Sequence, residues 1–231
     1  IALSFNRIYA LNPHHFQLGI LKVLPGTPLC GQAAELGLSY AEQSPYTLLE
    51  NRWLNREQMV VLQRIARLVD ILYNSGRFVL VRKNMEEHFP DSFTFYYDLD
   101  AFLYKGNGKE PHAKPELVAA MLTEYIRNRL GEQQDYLLDC LELDFCRARL
   151  QRTAAMKKRT SVSEQKLARR GLLEMIKQEE IILPVSLRGS RPLKGGSLFI
   201  PQSQVCRDRC LNGKQAAFFH RELDEPLLFD Y

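Results

Sequence analysis

Apolar residues along this chain fall into three successive rhythms. Residues 1–15 place Phe5, Ile8, Tyr9 and Leu11 at spacings that fit a short helix, closed by Asn12-Pro13. From Phe16 to Leu24 seven of nine residues are apolar or glycine, broken only by Gln17 and Lys22. Pro25-Gly26 and Pro28 then forbid regular structure from continuing. This pattern predicts a strand buried on both faces, of the kind found in parallel sheets covered by helices. No alternating strand–helix units follow to supply its neighbours. Together with a first residue, Ile1, that is not Met, this predicts the end of a domain whose beginning lies outside the chain. A second helical stretch carrying Leu29, Ala33 and Leu36 is expected to end near Gly37, and Ser44 to Glu50 reads as a loop leading into a short strand.

The second rhythm is helical. Asn55 with Gln58 three residues later forms a capping box, and Val61, Ile65, Leu68 and Leu72 recur on one face before Asn74-Ser75-Gly76 supplies a left-handed stop. The helix is about five turns long at a rise of roughly 1.5 Å per residue. Another is expected from Arg77 to His88, ended by Pro90. Ser92 to Tyr104 holds Phe93, Phe95, Tyr96, Tyr97, Phe102 and Tyr104 on a helix stopped by Gly106-Asn107-Gly108, with the rings as helical core. Pro115 fits a first helical turn, Leu117, Met121, Leu122, Tyr125 and Ile126 share a face, and Gly131 ends it. Leu137, Leu138, Leu141 and Phe145 define the next helix, and Ser161 with Glu164 caps a last one reaching about Gln178.

Beyond Glu180 the third rhythm consists of short apolar runs, at 181–185, 197–200, 216–219 and 227–229, separated by Gly, Pro and charged residues. They predict a small antiparallel β element or an extended tail. The fold class expected is therefore mainly α, a helical bundle, with an N-terminal α/β remnant and a short β-rich tail. Its divisions are 1–43, 44–178 and 179–231.

Composition changes this picture in three places. The 231 residues suffice for one large or two small domains. No apolar run is long enough for a membrane helix, and five cysteines, an odd number, argue against a disulfide framework and for a reducing, cytoplasmic setting. Net charge is only +4, yet residues 147–214 hold 16 Lys and Arg against 5 Asp and Glu, a local +11, leaving −7 for the rest. Within that region Lys157, Lys158, Arg159, Lys166, Arg169, Arg170, Arg188, Arg191, Lys194, Arg207 and Arg209 are candidates to neutralise phosphates of a nucleic acid. The alternative is a solvated face.

Candidate chemistry is sparse. Cys206 and Cys210 have half of a metal-binding spacing, with His220 the only nearby histidine; otherwise they are two thiols in a basic loop whose pKa Arg207 and Arg209 would lower. Cys30, Cys140 and Cys146 read as small buried residues. Asp139, Glu142 and Asp144 lie on a helix among leucines, and a solvated face is expected for them over an inward Asp144 paired with a base such as Arg77. His14, His15, His88 and His112 form no triad with a nucleophile, and neither a catalytic residue nor a metal ligand is assigned.

The segment Phe16 to Leu29, with its Leu24-Pro25-Gly26-Thr27-Pro28, resembles the final strand and following loop of a radical SAM partial barrel. Together with Pro45 to Glu50, Tyr73-Asn74-Ser75-Gly76-Arg77-Phe78 and Leu141-Glu142-Leu143-Asp144-Phe145, it is similar over residues 1–150 to cobalamin-binding radical SAM proteins that carry an uncharacterised domain behind the barrel. The resemblance implies a share of an S-adenosylmethionine pocket at Leu21, Lys22, Leu24, Pro25, Gly26 and Thr27. It also implies upstream partner domains that bind cobalamin and, through a Cys-x3-Cys-x2-Cys loop, a [4Fe-4S] cluster. That loop is not in this sequence, so the chain alone is expected to be inactive. Two other readings stand beside this one: a helical interaction module whose basic region, 157–214, binds nucleic acid, and an independent hydrolase or transferase with a site in the helical domain.

Overall fold

The structure, a computed structural model, describes residues 1–106, 114–148, 150, 153, 156, 159–178, 180, 196–220, 223 and 225–230. It is mainly helical with small antiparallel sheets. Two compact units divide the chain: residues 1–76 with 86–111, and residues 77–85 with 112–231. Among the described residues no helix is long and apolar enough to cross a membrane.

In the first unit, α1 (Ala2–Ala10) and α3 (Arg56–Val69) both pack on α5 (Ser92–Gly106). The Asn55–Gln58 capping box forms as expected, starting α3, whose last turn widens into a π-turn (Asp70–Asn74) before Gly76 turns left-handed. Phe5, Tyr9, Phe16, Tyr73 and Tyr96 meet edge-to-face or tilted, with centroids 4.8–6.2 Å apart, and form an aromatic core. Of the α5 aromatics Phe95 and Tyr96 are fully buried, while Tyr97 is exposed. Tyr104 instead lies beneath the Arg64 guanidinium, 3.3 Å from its ring centroid, and Arg64 grips Asp100 through two 2.7 Å bonds. A two-stranded hairpin, β1 (Ser39–Tyr40) and β2 (Leu48–Glu50), lies against α3. The expected second helix shrinks to a short turn, α2 (Pro28–Gly31), capped by Thr27.

The predicted strand at 16–24 is corrected. Residues 16–24 form no strand: only Lys22 pairs, in a single antiparallel bridge with Thr47. Phe16 and Val23 are buried while Leu21 and Leu24 are each 46% exposed, so the segment is not buried on both faces. Apolar content alone could not separate these cases, because burial depends on what the rest of the chain lays over each face.

In the second unit, α4 (Val79–Glu86, of which Val79–Met85 belong here), α6 (Pro115–Arg129) and the sheet gather around α7 (Gln134–Arg147). Every residue of α7 from Tyr136 to Cys146 is buried. On α6 the buried face is Val118, Ala119, Leu122, Tyr125 and Ile126, with Leu117 exposed, a rotation of the expected face by about one residue. The Ser161–Glu164 capping box starts α8 (Val162–Lys177) as expected. Strands β3 (Ser197–Phe199), β4 (Ala216–Phe219) and β5 (Leu227–Phe229) form the antiparallel element expected of the tail, in the order β3-β4-β5. Ala168 and Leu172 of α8 pack on Ala216, Phe218 and Phe229 of that sheet. The apolar run at 181–185, and Asn107-Gly108 after α5, lie outside the described residues. Between β3 and β4 the chain forms α9 (Gln204–Cys210), capped by Ser203, where a loop was expected.

Candidate functional site

The extended segment is held by residues far along the chain. The Asn74 carboxamide acts as a surrogate strand, accepting the Phe16 N–H at 2.9 Å and donating to the Phe16 carbonyl at 2.8 Å. Tyr73 donates its hydroxyl to the Pro13 carbonyl. Farther on, the Val23 N–H donates to Tyr46 O and the Leu48 N–H to Leu21 O, each at 2.9 Å. Two of the sequence segments singled out above therefore hold a third, Tyr73-Asn74 at the start of Phe16–Leu24 and Tyr46–Leu48 near its end. Around Leu21–Val23 only one edge of the segment is used. The other, with Lys22 N–H and C=O and Leu24 N–H, has no backbone partner among the described residues.

The named pocket residues follow directly. Pro25 and Gly26 form the turn, with Gly26 at φ 79°, where a side chain would be strained. Thr27 accepts from the Cys30 N–H and donates to the Leu24 carbonyl at 2.7 Å, which fixes the exit of the turn. Leu21, Lys22, Leu24, Pro25 and Gly26 are exposed and Thr27 is half-buried. The structure thus presents all six on one short, outward-facing stretch. Removing the amide clamp by Asn74→Ala is expected to cost about 1–2 kcal/mol, the loss of two side-chain bonds to a part-buried backbone. Hydrogen exchange at the Phe16 amide checks it; unchanged protection there would show that Asn74 does not hold the segment.

The carboxylates of α7 are not the solvated face expected. Asp139, Glu142 and Asp144 are all within 4% of full burial. Asp144 accepts the Leu80 N–H at 3.1 Å and the Val81 N–H at 2.9 Å. It thereby caps α4, whose preceding Gly76-Arg77-Phe78 offers no Ser, Thr, Asp or Asn for the purpose. Phe78 also meets Phe145, ring centroids 6.1 Å apart, so part of the Asn-Ser-Gly-Arg-Phe segment and the Leu-Glu-Leu-Asp-Phe segment are contact partners. Burial pushes Asp144 up to about 7 against the pull of the two N–H groups, Arg147 and Arg82. Asp139 accepts the Ser203 N–H at 2.7 Å and pairs with Arg159 at 2.7 Å, and Glu142 lies 3.8 Å from the same guanidinium. Burial raises Asp139, with Arg159 opposing.

Cys206 and Cys210 lie on α9, not in a loop, and Cys206 is fully buried. Among the described residues no group of three or more His, Cys, Asp or Glu is arranged to hold a metal ion. Several cations of the basic region are engaged within the chain: Arg159 with Asp139, Arg207 with the Pro201 carbonyl, and Arg209 over the Tyr136 ring. Lys157, Lys158, Arg188, Arg191 and Lys194 lie outside the described residues, as does His112. A cavity of about 440 Å³ opens at the start of α7, lined by Tyr136, Ser203, Val205 and Arg209 among others. Sequence reasoning missed it because α9 was read as loop.

No match was found among curated proteins or solved structures. A family model does match, over residues 34–191, and its description is a protein of unknown function, DUF4080. That span contains Asn74, the β1–β2 hairpin and the α4–α7 cap, and excludes the extended segment itself. The chain therefore belongs to the DUF4080 family, which is found in B12-binding radical SAM proteins.

Proposed function

We propose that this chain is the C-terminal portion of a cobalamin-dependent radical SAM enzyme, with residues 16–24 as the last strand of the barrel and Leu21, Lys22, Leu24, Pro25, Gly26 and Thr27 at the S-adenosylmethionine pocket. The observation that carries the reading is the geometry at Leu21–Leu24, clamped on one edge by Tyr46–Leu48 and open on the other at Lys22 and Leu24. An open edge is the feature a neighbouring strand completes. Membership of a family found in B12-binding radical SAM proteins supports the same assignment.

The residues present fit S-adenosylmethionine and do not fit the other two groups. Exposed backbone N–H and C=O at Lys22 can read an adenine edge, exposed Leu24 can cover its face, and Gly26 lets the backbone approach closely. The cluster and the cobalamin find no ligand loop in this sequence, so the upstream domains of the same protein would supply them and the radical chemistry. The role of this chain is to bind and orient the nucleoside and to keep water from that side of it.

The test uses the longer polypeptide, purified without oxygen. It should contain a Cys-x3-Cys-x2-Cys loop, show the absorption of a [4Fe-4S] cluster and of cobalamin, and release 5′-deoxyadenosine from S-adenosylmethionine under reduction. Leu24→Glu, at an exposed position, should leave stability and cluster absorbance intact and weaken S-adenosylmethionine binding about tenfold, near 1.4 kcal/mol. A longer polypeptide without that cysteine loop, or unchanged affinity in Leu24→Glu, overturns respectively the enzyme class and the pocket.

A further inference from the structure

The aromatic core of the first unit holds a polar row that packing alone does not need. Tyr9, 7% exposed, is ringed by Phe5, Phe16, Tyr73 and Tyr96 at centroid distances of 5.0–5.9 Å. Its hydroxyl donates to the carboxylate of Glu86, the last residue of α4 and part of the same unit. A phenol has a single hydrogen to give, so the Tyr96 hydroxyl is the donor across the 3.3 Å between the two tyrosine oxygens. The row therefore runs from Tyr96, fully buried, through Tyr9 to half-buried Glu86. A phenylalanine at position 9 would fill the core equally well. The hydroxyl instead draws a carboxylate to the edge of an apolar cluster, which costs desolvation.

Losing an electron turns a phenol into a strong acid, so a tyrosine is oxidised readily where its proton has somewhere to go. Tyr73 donates to the Pro13 carbonyl, with Asn12 Oδ1 at 3.4 Å, and Tyr136 donates to the Asn84 carboxamide. Amide oxygens accept hydrogen bonds but do not take up a proton at neutral pH. The acceptor of Tyr9 does, because a carboxylate is a base and is already in hydrogen-bond contact. Once the proton has moved, the hydrogen bond from Tyr96 remains to stabilise the oxygen left behind. Tyr73 gives the electron a way out, since its ring is half-buried and 5.0 Å from that of Tyr9. Buried Phe5 and Phe16 on the other sides keep water from the ring.

We infer that Tyr9 is a redox-active tyrosine, the site of a neutral phenoxyl radical, with Glu86 as its proton acceptor and Tyr73 as the outer end of the electron path. The reacting partner is a strong one-electron oxidant, an organic radical reaching the Tyr73 side. One electron passes from Tyr9 across the Tyr73 ring to that oxidant, which is reduced by one electron. In the same step the Tyr9 O–H bond breaks and its proton bonds to the Glu86 carboxylate. What remains is a neutral Tyr9 radical, hydrogen-bonded by Tyr96, beside a neutral Glu86 carboxyl. Return of one electron and of the Glu86 proton restores the phenol. The inference goes beyond the enzyme class proposed above and does not rest on it, since it invokes neither the cluster nor the nucleoside.

The experiment illuminates the full chain with a ruthenium trisbipyridyl photosensitiser and persulfate, freezes it, and records electron paramagnetic resonance. The unaltered chain should give a neutral tyrosyl signal that forms more slowly in deuterium oxide than in water, a result that needs no variant to fold. Tyr9→Phe, which keeps the ring, should lose the dominant signal. Glu86→Gln keeps a hydrogen-bond acceptor but removes the base, and should slow formation about a hundredfold, the low end of what a positioned proton acceptor contributes. A dominant signal that survives in Tyr9→Phe, as one from exposed Trp53 or Tyr97 would, overturns the proposal. So does an unchanged rate in Glu86→Gln, or in deuterium oxide.

Discussion

Asp144→Ala is expected to lower the unfolding free energy by about 3 kcal/mol, because it leaves two helix-starting N–H groups buried without an acceptor, each costing roughly 1–3 kcal/mol. The groups are those of Leu80, part-buried, and Val81, buried, in the first turn of α4. Asp144→Asn keeps one acceptor oxygen and should lose less, about 1–2 kcal/mol. Urea unfolding at a common pH measures both, and a loss below about 1 kcal/mol for the alanine variant would mean the cap is dispensable.

The same carboxyl makes stability depend on pH. Its folded value, about 7, lies above the ordinary 3.8, so the folded state holds more protons between the two. The stability contributed by the neutral form is complete below about pH 4 and is lost as pH rises through 7. Urea midpoints are therefore expected to fall from pH 5 to pH 8. Asp144→Asn should flatten most of that decline and leave the part due to Asp139, which burial also raises. An unchanged slope in Asp144→Asn would remove Asp144 as the titrating group.

Arg159→Met is the second large effect, about 3–5 kcal/mol at pH 8, the range for stripping the partner from a buried charge. One guanidinium serves two carboxylates on α7, Asp139 at 2.7 Å and Glu142 at 3.8 Å, both 1% exposed at the side chain. It also donates to the Asp135 carbonyl at 3.2 Å. Without it Asp139 rises further, since Arg159 is the main influence lowering it, and protonation then relieves the unpaired charge. The loss should be smaller at pH 5 than at pH 8, and the double variant with Asp139→Asn should recover part of it at pH 8. A loss equal at both pH values would indicate that Arg159 acts through packing alone.

How much was legible depended on distance along the chain. The caps at Asn55 and Ser161, the Pro115 start and the Gly76 stop were readable because each is settled within one turn by residues adjacent in sequence. The tail's strands were readable for a similar reason, since short apolar runs bounded by turn residues have few alternatives. Segment 16–24 was misread in its burial: its composition suits a covered strand, whereas Asn74 and Tyr46–Leu48 cover one side and leave Leu21 and Leu24 outward.

The acids of α7 mark the same limit from the other direction. Charge among leucines at helical spacing ordinarily means a solvated face, and only the arrival of α4, α9 and Arg159 turns Asp139, Glu142 and Asp144 inward with partners.

By itself the amino-acid sequence determined the helix starts at Asn55, Pro115 and Ser161 and the stop at Gly76, because a cap or a left-handed stop is a contest among a few neighbouring backbone groups. The tertiary structure decided which faces those helices bury, which edge stays open at Lys22 and Leu24 and which carboxylates of α7 turn inward. Those outcomes rest on desolvation and on partners 17 to 64 residues away, whose position no local pattern contains.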